Sequence, residues 1–376
     1  MHKLSLLIAS VLVAAGCSRQ GADPEELSRA FARHSYAAAD PAAVKKAFEA
    51  GGGELKTLDP HAEVIGPEQR ILHDYPVKAK AGAGLVLWRT PEGFSAVKVF
   101  AGSPADQAGL KDGDLVVKIG GKTAENAPPL DVLTALWGPK GGDFLYEAET
   151  KEGRALSGTL KRDFGGMPLV WGFLVPGTKI GYLRLVAFPD GTPARVKQEL
   201  DALLHAGARS AVLDLRHNYG GSLDALAETL ALFAPGPGTL FKAVSRHPGY
   251  SKDFTAAKAG PFAGLRLALL TNSHTISRAE VFAASLKEAG RAFTAGSGTA
   301  GDVSVTKTFR LSRGGALRLT VARLVTPAGT DLEGKGLAPD VPVEDPLDGE
   351  YAFSADFPPP LAGADPVLAA ALKKLK

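Results

Sequence analysis

The chain has 376 residues, enough for two or three domains, each with its own core. A composition of 45% hydrophobic and 22% charged residues excludes a disordered chain, and 44 Gly with 26 Pro argue for many tight turns rather than a helical bundle. The formal charge of +3, with no run of Lys and Arg interleaved with aromatic residues, excludes a nucleic-acid footprint.

In chain order, residues 1–17 begin with His2 and Lys3, run apolar from Leu4 to Ala15 and end at Gly16-Cys17. A positive start, a short apolar stretch and small residues make a secretory leader. The stretch resembles a bacterial lipoprotein leader, in which Cys17 becomes the lipidated first residue. An ordinary signal peptide containing a cysteine is the alternative. The lipoprotein reading implies a chain held to a membrane of the bacterial envelope, facing the periplasm, without a spanning helix. Cys17 is the only cysteine, so no disulfide, zinc cluster or thiol nucleophile is expected.

Residues 18–79 read as a tether and helical region, with a helix from Pro41 capped by Asp40 and stopped at Gly51-Gly52-Gly53. Residues 80–163 read as a compact β-rich module. Phe94–Phe100 alternates as a strand, Pro104 opens a short helix ended near Gly109, and Leu115–Ile119 is an apolar strand. A further helix is predicted over Asp131–Trp137. Residues 164–346 read as an α/β core with strands at 180–186, 210–215, 265–270 and 291–295. Helices lie between, including one with Thr192 as N-cap and Pro193 as its first residue and one at 278–289, and a hairpin closes the region at 303–325. Residues 347–376 hold a Pro-rich link and a terminal helix near Asp365–Leu375.

Ser277 follows a buried-type strand and starts a helix, a place that exposes a hydroxyl at the sheet's end near backbone N–H groups. Ser277-Arg278-Ala279-Glu280 also spells a capping box, which gives the serine a purely structural role. Asp214-Leu215-Arg216-His217-Asn218-Tyr219-Gly220-Gly221 follows an earlier strand, and its paired glycines suit a turn whose N–H groups meet a ligand oxygen.

Taken with Leu58-Asp59-Pro60-His61 and Glu333-Gly334-Lys335-Gly336-Leu337-Ala338-Pro339-Asp340, these motifs resemble the carboxyl-terminal processing peptidases, the tail-specific serine proteases. The resemblance covers about residues 41–346. It implies an α+β multidomain fold, with a PDZ-like module and a crotonase-like or ClpP-like α/β core with a mixed sheet. It implies Ser277 as nucleophile, with Gly220, Gly221 and Arg278 as the oxyanion hole. Gly82, Ala83, Gly84 and Leu85 fall at the PDZ carboxylate-binding loop, where a peptide's C-terminus adds to the sheet edge. Glu288 stands where relatives often carry Asp. Polypeptides with free C-termini are the implied partners, and no metal or organic cofactor is implied.

The family's general base is a lysine, with a glutamine four residues later. Here Asp302 and Thr306 occupy those positions. A serine hydroxyl is a poor nucleophile until a base takes its proton, and an aspartate of ordinary pKa is a weak base. Strand alternation is expected to place Asp302, Ser304 and Thr306 on one face and Lys307 on the other. His274, three residues before Ser277, is a substitute base to consider; His217 lies beside the glycine turn, and His61 reads as structural. Two readings stay open: a peptidase using His274, Asp302 or another group, and a pseudopeptidase that binds polypeptide ends. A purely structural envelope lipoprotein is a third, weaker reading.

Overall fold

The computed structural model describes residues 22–50, 53–66, 80–90, 93–123, 135–165, 168–345 and 365–376. The leader with Cys17, the predicted helix start at Asp131 and most of the Pro-rich link lie outside them. The chain forms two compact units: Met1–Pro76 with Ala243–Lys252 and Ser304–Arg323, and Val77–Lys242 with Asp253–Val303 and Leu324–Lys376. Among the described residues no helix is long and apolar enough to cross a membrane.

In the first unit, the expected tether contains a helix, Pro24–His34. Asp23 caps it by accepting the Glu25 N–H, Pro24 opens it, and acidic first-turn and basic last-turn residues suit the helix dipole. Only Leu27 and Phe31 give it an apolar stripe, which the Ala-rich polar composition conceals. These two join Val44 and Phe48 of helix Pro41–Glu49, with Leu317 and Leu319, in one core. The Asp59 carboxylate accepts the Thr320 N–H at 2.7 Å and its hydroxyl at 2.8 Å, so the Leu58–His61 motif braces a strand.

That strand, Ala316–Val325, pairs with Ser304–Arg310 as predicted, but the alternation of faces fails. Val305 opposes Ala322 whereas Thr306 opposes Thr320, leaving Val321 as an extra residue on the partner strand. Ser304 and Val305 are both buried, while Thr306 and Lys307 are both exposed. The Lys307 ammonium lies 4.9 Å from the Tyr250 ring centre.

In the second unit, the PDZ-like module is an antiparallel sheet in the order Leu85–Thr90, Gly93–Val99, Leu115–Ile119, Asp143–Glu149, Ala155–Lys161. Leu85–Thr90 is thus an edge strand among the described residues. Trp137, expected as the last residue of a helix closed by Gly138-Pro139, instead opens the short strand Trp137–Pro139, paired with Lys80–Gly82.

The core of this unit is a mixed six-stranded sheet in the order Val170–Leu174, Ile180–Leu185, Ser210–Asp214, Arg266–Thr271, Ala292–Gly296, Val341–Pro342. The first pair is antiparallel and the rest parallel. Helix Thr192–His205 begins one residue before its predicted start, because left-handed Gly191 serves as its N-cap. Helix Arg278–Glu288 is buried along most of its length, with Phe282 against the rings of Phe188 and Phe233. The C-terminal helix Pro366–Leu375 buries Val367, Leu368, Ala371 and Leu375 in the sheet's core.

Asp365, the N-cap of that last helix, also pairs with Arg216 at 2.7 Å. Arg216 bonds Asp214 at 2.7 Å as well and reaches Asp345 at 3.4 Å; Arg184 meets Asp214 at 2.9 Å. Burial alone would raise the Asp214 pKa, but Arg216 and Arg184 hold its carboxyl far below the usual range. Removing one member of such a buried set leaves an uncompensated charge, at about 3–5 kcal/mol. The strand end that leads to the glycine turn is therefore rigid.

Candidate active site

Strands Ser210–Asp214 and Arg266–Thr271 are parallel neighbours, so the turns leaving their C-terminal ends lie side by side, where open α/β sheets place ligands. The two turns are sewn together. Asn272 Oδ1 accepts the N–H groups of His217 and His274, and the Ile276 N–H donates to the Asn218 carbonyl at 2.8 Å. Among the described residues only His217 (φ 57°) and Ser277 (φ 65°) are non-glycine residues with positive φ, one on each turn. Such backbone carries about 1–3 kcal/mol of strain and persists only where its surroundings dictate it.

Ser277 is 7% exposed. It and Glu280 take the capping-box positions, and the Glu280 carboxylate accepts the Ser277 N–H at 3.0 Å. The Ser277 hydroxyl accepts from Arg278 Nη1 at 2.8 Å. Arg278 Nε is buried with no partner among the described residues. Burial pushes the Arg278 pKa down and the charge of Asp302 pulls it back up; a guanidinium stays a donor at neutral pH and cannot take a proton from the serine.

Glu280 does more than cap. Fully buried, it accepts the Thr299 hydroxyl at 2.5 Å, the Gly301 N–H at 2.6 Å and the Asp302 N–H at 2.9 Å. Burial pushes its pKa up, and these donors with the Ser277 N–H pull it back down. The opposite side of the 299–303 segment is held by the Glu333–Asp340 motif. Glu333 accepts the Val303 N–H at 3.0 Å, the Gly334 N–H donates to the Gly301 carbonyl at 2.7 Å, and the Leu337 N–H donates to the Thr299 hydroxyl at 2.7 Å. A Cβ at Gly301 would sit 2.8 Å from the Gly336 nitrogen, so this backbone contact admits only glycine. Asp302 thus stands on an immobilised segment beside the helix that starts at Ser277, and Thr306 lies in the first unit.

The glycine turn meets Ser277 closely. A Cβ at Gly220 would lie 3.2 Å from Ser277 Cβ and 3.3 Å from the Arg278 backbone nitrogen. The Gly220 N–H donates to Asn218 Oδ1 at 2.9 Å. His274 stacks on His217 with ring centres 5.1 Å apart, and its Nδ1 lies 3.3 Å from the Ser273 hydroxyl. His217 Nε2 lies 3.0 Å from Asn272 Nδ2, so the ring accepts there. Glu288 accepts the Ala328 N–H at 2.6 Å, a structural contact.

At the PDZ loop the Ala83 carbonyl accepts the Ala105 N–H and the Gly84 carbonyl accepts the Phe100 N–H, both at 3.0 Å. Gly84 has φ 73°, and a Cβ there would meet Ser103 Cβ at 2.1 Å. Gly82 ends one strand and Leu85 begins the edge strand. The loop carbonyls therefore turn inward, to the segment around the Pro104–Gln107 helix. The capping box alone did not signal Glu280's further role, nor the meeting of Arg278's guanidinium with the hydroxyl.

Residues 179–343 match the model of peptidase family S41, and residues 97–142 match a PDZ domain. The carboxyl-terminal-processing protease of Synechocystis sp. is 33% identical over 304 residues, spanning 78% of this chain and 70% of the relative. That of Picosynechococcus sp. is 30% identical over 302 residues, spanning 78% and 72%. Among solved structures, a photosystem II D1 C-terminal processing protease aligns with a TM-score of 0.55 at 23% identity, covering 92% of this chain and 100% of that one. A putative S41 protease from Bacteroides fragilis gives 0.54 at 19% identity, covering 93% and 96%. Both share the fold.

Burial first, with help from Arg184 and His274 and against the pull of Asp214, lowers the His217 pKa from 6.5 to about 4. The folded chain binds this proton less readily than the unfolded chain, so His217's contribution to stability is complete above pH 6.5 and is lost as pH falls through about 4. Melting temperature measured from pH 7 to 4 should fall across that window. The fall should flatten in His217→Asn, since Asn tolerates the left-handed backbone; an unchanged fall would assign the titration elsewhere.

Proposed function

The chain belongs to peptidase family S41, as a PDZ-containing relative of the carboxyl-terminal-processing proteases, and on that premise we propose that it binds polypeptide C-termini while its own Ser277 is catalytically arrested. The observation that carries this reading is the partner of the hydroxyl. A nucleophilic serine needs a neighbour able to accept its proton; here Arg278 only donates to it, at 2.8 Å. The site that would supply the base carries Asp302, whose negative charge opposes a developing oxyanion. His274, the substitute base, has its ring on His217 rather than a hydrogen bond to the serine hydroxyl among the described residues. Peptide capture falls to the edge strand Leu85–Thr90 and the loop Gly82–Leu85, by strand addition.

The test is incubation of the full-length chain with unstructured peptides bearing free or amidated C-termini. Free-ended peptides should bind and stay intact. Joint replacement Asp302→Lys, Thr306→Gln and Arg278→Ala should raise cleavage at least about 100-fold, the usual contribution of a positioned base. Cleavage by the native chain that disappears in Ser277→Ala would overturn the arrest.

Residues 1–17 are proposed to export the chain and Cys17 to hold it at a membrane of the bacterial envelope, facing the periplasm. Cys17→Ala should move the chain from the membrane to the soluble fraction, and unchanged retention would contradict the anchor.

A further inference from the structure

A cavity of about 250 Å³ lies in the second unit, at the C-terminal end of helix Arg278–Glu288. Its buried wall is Leu230, Phe233, Ala234, Leu240, Ser285 and Leu286. These come from the end of helix Leu223–Ala231 and the residues after it, from strand Gly238–Val244 and from helix Arg278–Glu288. Ser285 stands about 12 Å along its helix from Ser277, at about 1.5 Å per residue, so the cavity is separate from the Ser277 site. Protein interiors seldom leave so large a space. Here the walls are braced against collapse. The Phe233 ring packs on Phe262 and Phe282, with ring centres 5.9 and 6.1 Å away. At the exposed rim, Pro235 and Pro237 each lock a backbone φ.

Ser285 is the one polar residue of the buried wall, and it is 4% exposed. A serine inside a helix ordinarily returns its hydroxyl to the carbonyl four residues back. The Ser285 hydroxyl is buried and has no hydrogen-bond partner among the described residues. Such a group costs stability for as long as nothing pairs it. The two charged residues that line the cavity are spent on the wall itself. Arg291 donates from Nε to the Phe233 carbonyl at 3.4 Å and from Nη2 to the Leu265 carbonyl at 2.9 Å. Glu288 accepts the Ala328 N–H at 2.6 Å. An apolar pocket with a single unspent polar group selects a ligand by shape and by one hydrogen bond, not by charge. We propose that this cavity is a binding site for a small uncharged molecule with an apolar, ring-sized body and one hydroxyl group. The Ser285 hydroxyl pairs with that group. A dry cavity of about 150 Å³ admits benzene, so this one has room for a substituted ring. The proposal does not depend on whether Ser277 is arrested or active.

The test is a titration of the full-length chain with phenol, toluene and benzoate, followed through the methyl NMR signals of Leu230 and Leu286. Phenol and toluene have nearly the same shape and differ by a hydroxyl for a methyl group. Both should shift the two leucines saturably, whereas benzoate should leave them in place. Ser285→Ala should keep the toluene response and move the ratio of phenol to toluene affinity about tenfold toward toluene, the weight of one hydrogen bond. Ala289→Trp, at the exposed rim, should abolish both responses. A ratio that Ser285→Ala leaves unchanged would overturn the hydroxyl's role and the ligand class with it. Benzoate binding as tightly as phenol would do the same. The site itself fails if neither phenol nor toluene gives a saturable shift, or if Ala289→Trp leaves both shifts intact. Peptide cleavage enters none of these outcomes, so the result stands apart from the fate of Ser277.

Discussion

One buried carboxylate organises the region around Ser277. Glu280 accepts from the backbone of Ser277, from the Thr299 hydroxyl and from the backbone of Gly301 and Asp302, all within 3.0 Å. An ionised carboxylate in so dry a place is tolerable only because every one of these donors is in position. The consequence is mutual: the strained start of the helix and the segment 299–302 are each fixed by the group that the other helps to satisfy. The Glu333–Asp340 motif then seals the far side of that segment through backbone contacts that only glycine allows.

This framework is of the kind that presents a base to a nucleophile, yet the side chain it presents is Asp302. On the proposed reading, the scaffold and the strained serine lack a proton acceptor. Arg278 completes the change by donating to the hydroxyl, so that Ser277 is positioned like a nucleophile and bonded like an acceptor. On the other side of the site, Asn218 takes the Gly220 N–H, and the Asp214–Arg216 pair ties the glycine turn to the C-terminal helix. On the proposed reading, this rigidity serves a site that holds rather than cuts.

Much of this was legible in the sequence because it is local. The parallel strand–helix units, the strand-to-helix turn at Ser277, the glycine turn and the hairpin follow from apolar periodicity and turn residues a few positions apart, and the mixed sheet from the family resemblance. The assignment of Asp302 to the family's lysine position rests on the resemblance alone. What escaped depends on partners far away in the chain. Glu280 reads as a helix cap from its spacing to Ser277, but its other donors stand 19 to 22 residues downstream. The expected faces of Thr306 and Lys307 fail because of an extra residue, Val321, on the partner strand, invisible from either strand alone. Helix Pro24–His34 hides its two apolar residues among alanines and charges. Arg278 looks like any exposed first-turn arginine until its side chain is placed.

The central claim is that the Ser277 hydroxyl is held as an acceptor and is not an activated nucleophile. The most direct measurement is the intact mass of the native chain after exposure to a fluorophosphonate, which reacts with activated serines and needs no bound peptide. The account predicts an unmodified chain at neutral pH. A stoichiometric adduct mapped to Ser277 would contradict it.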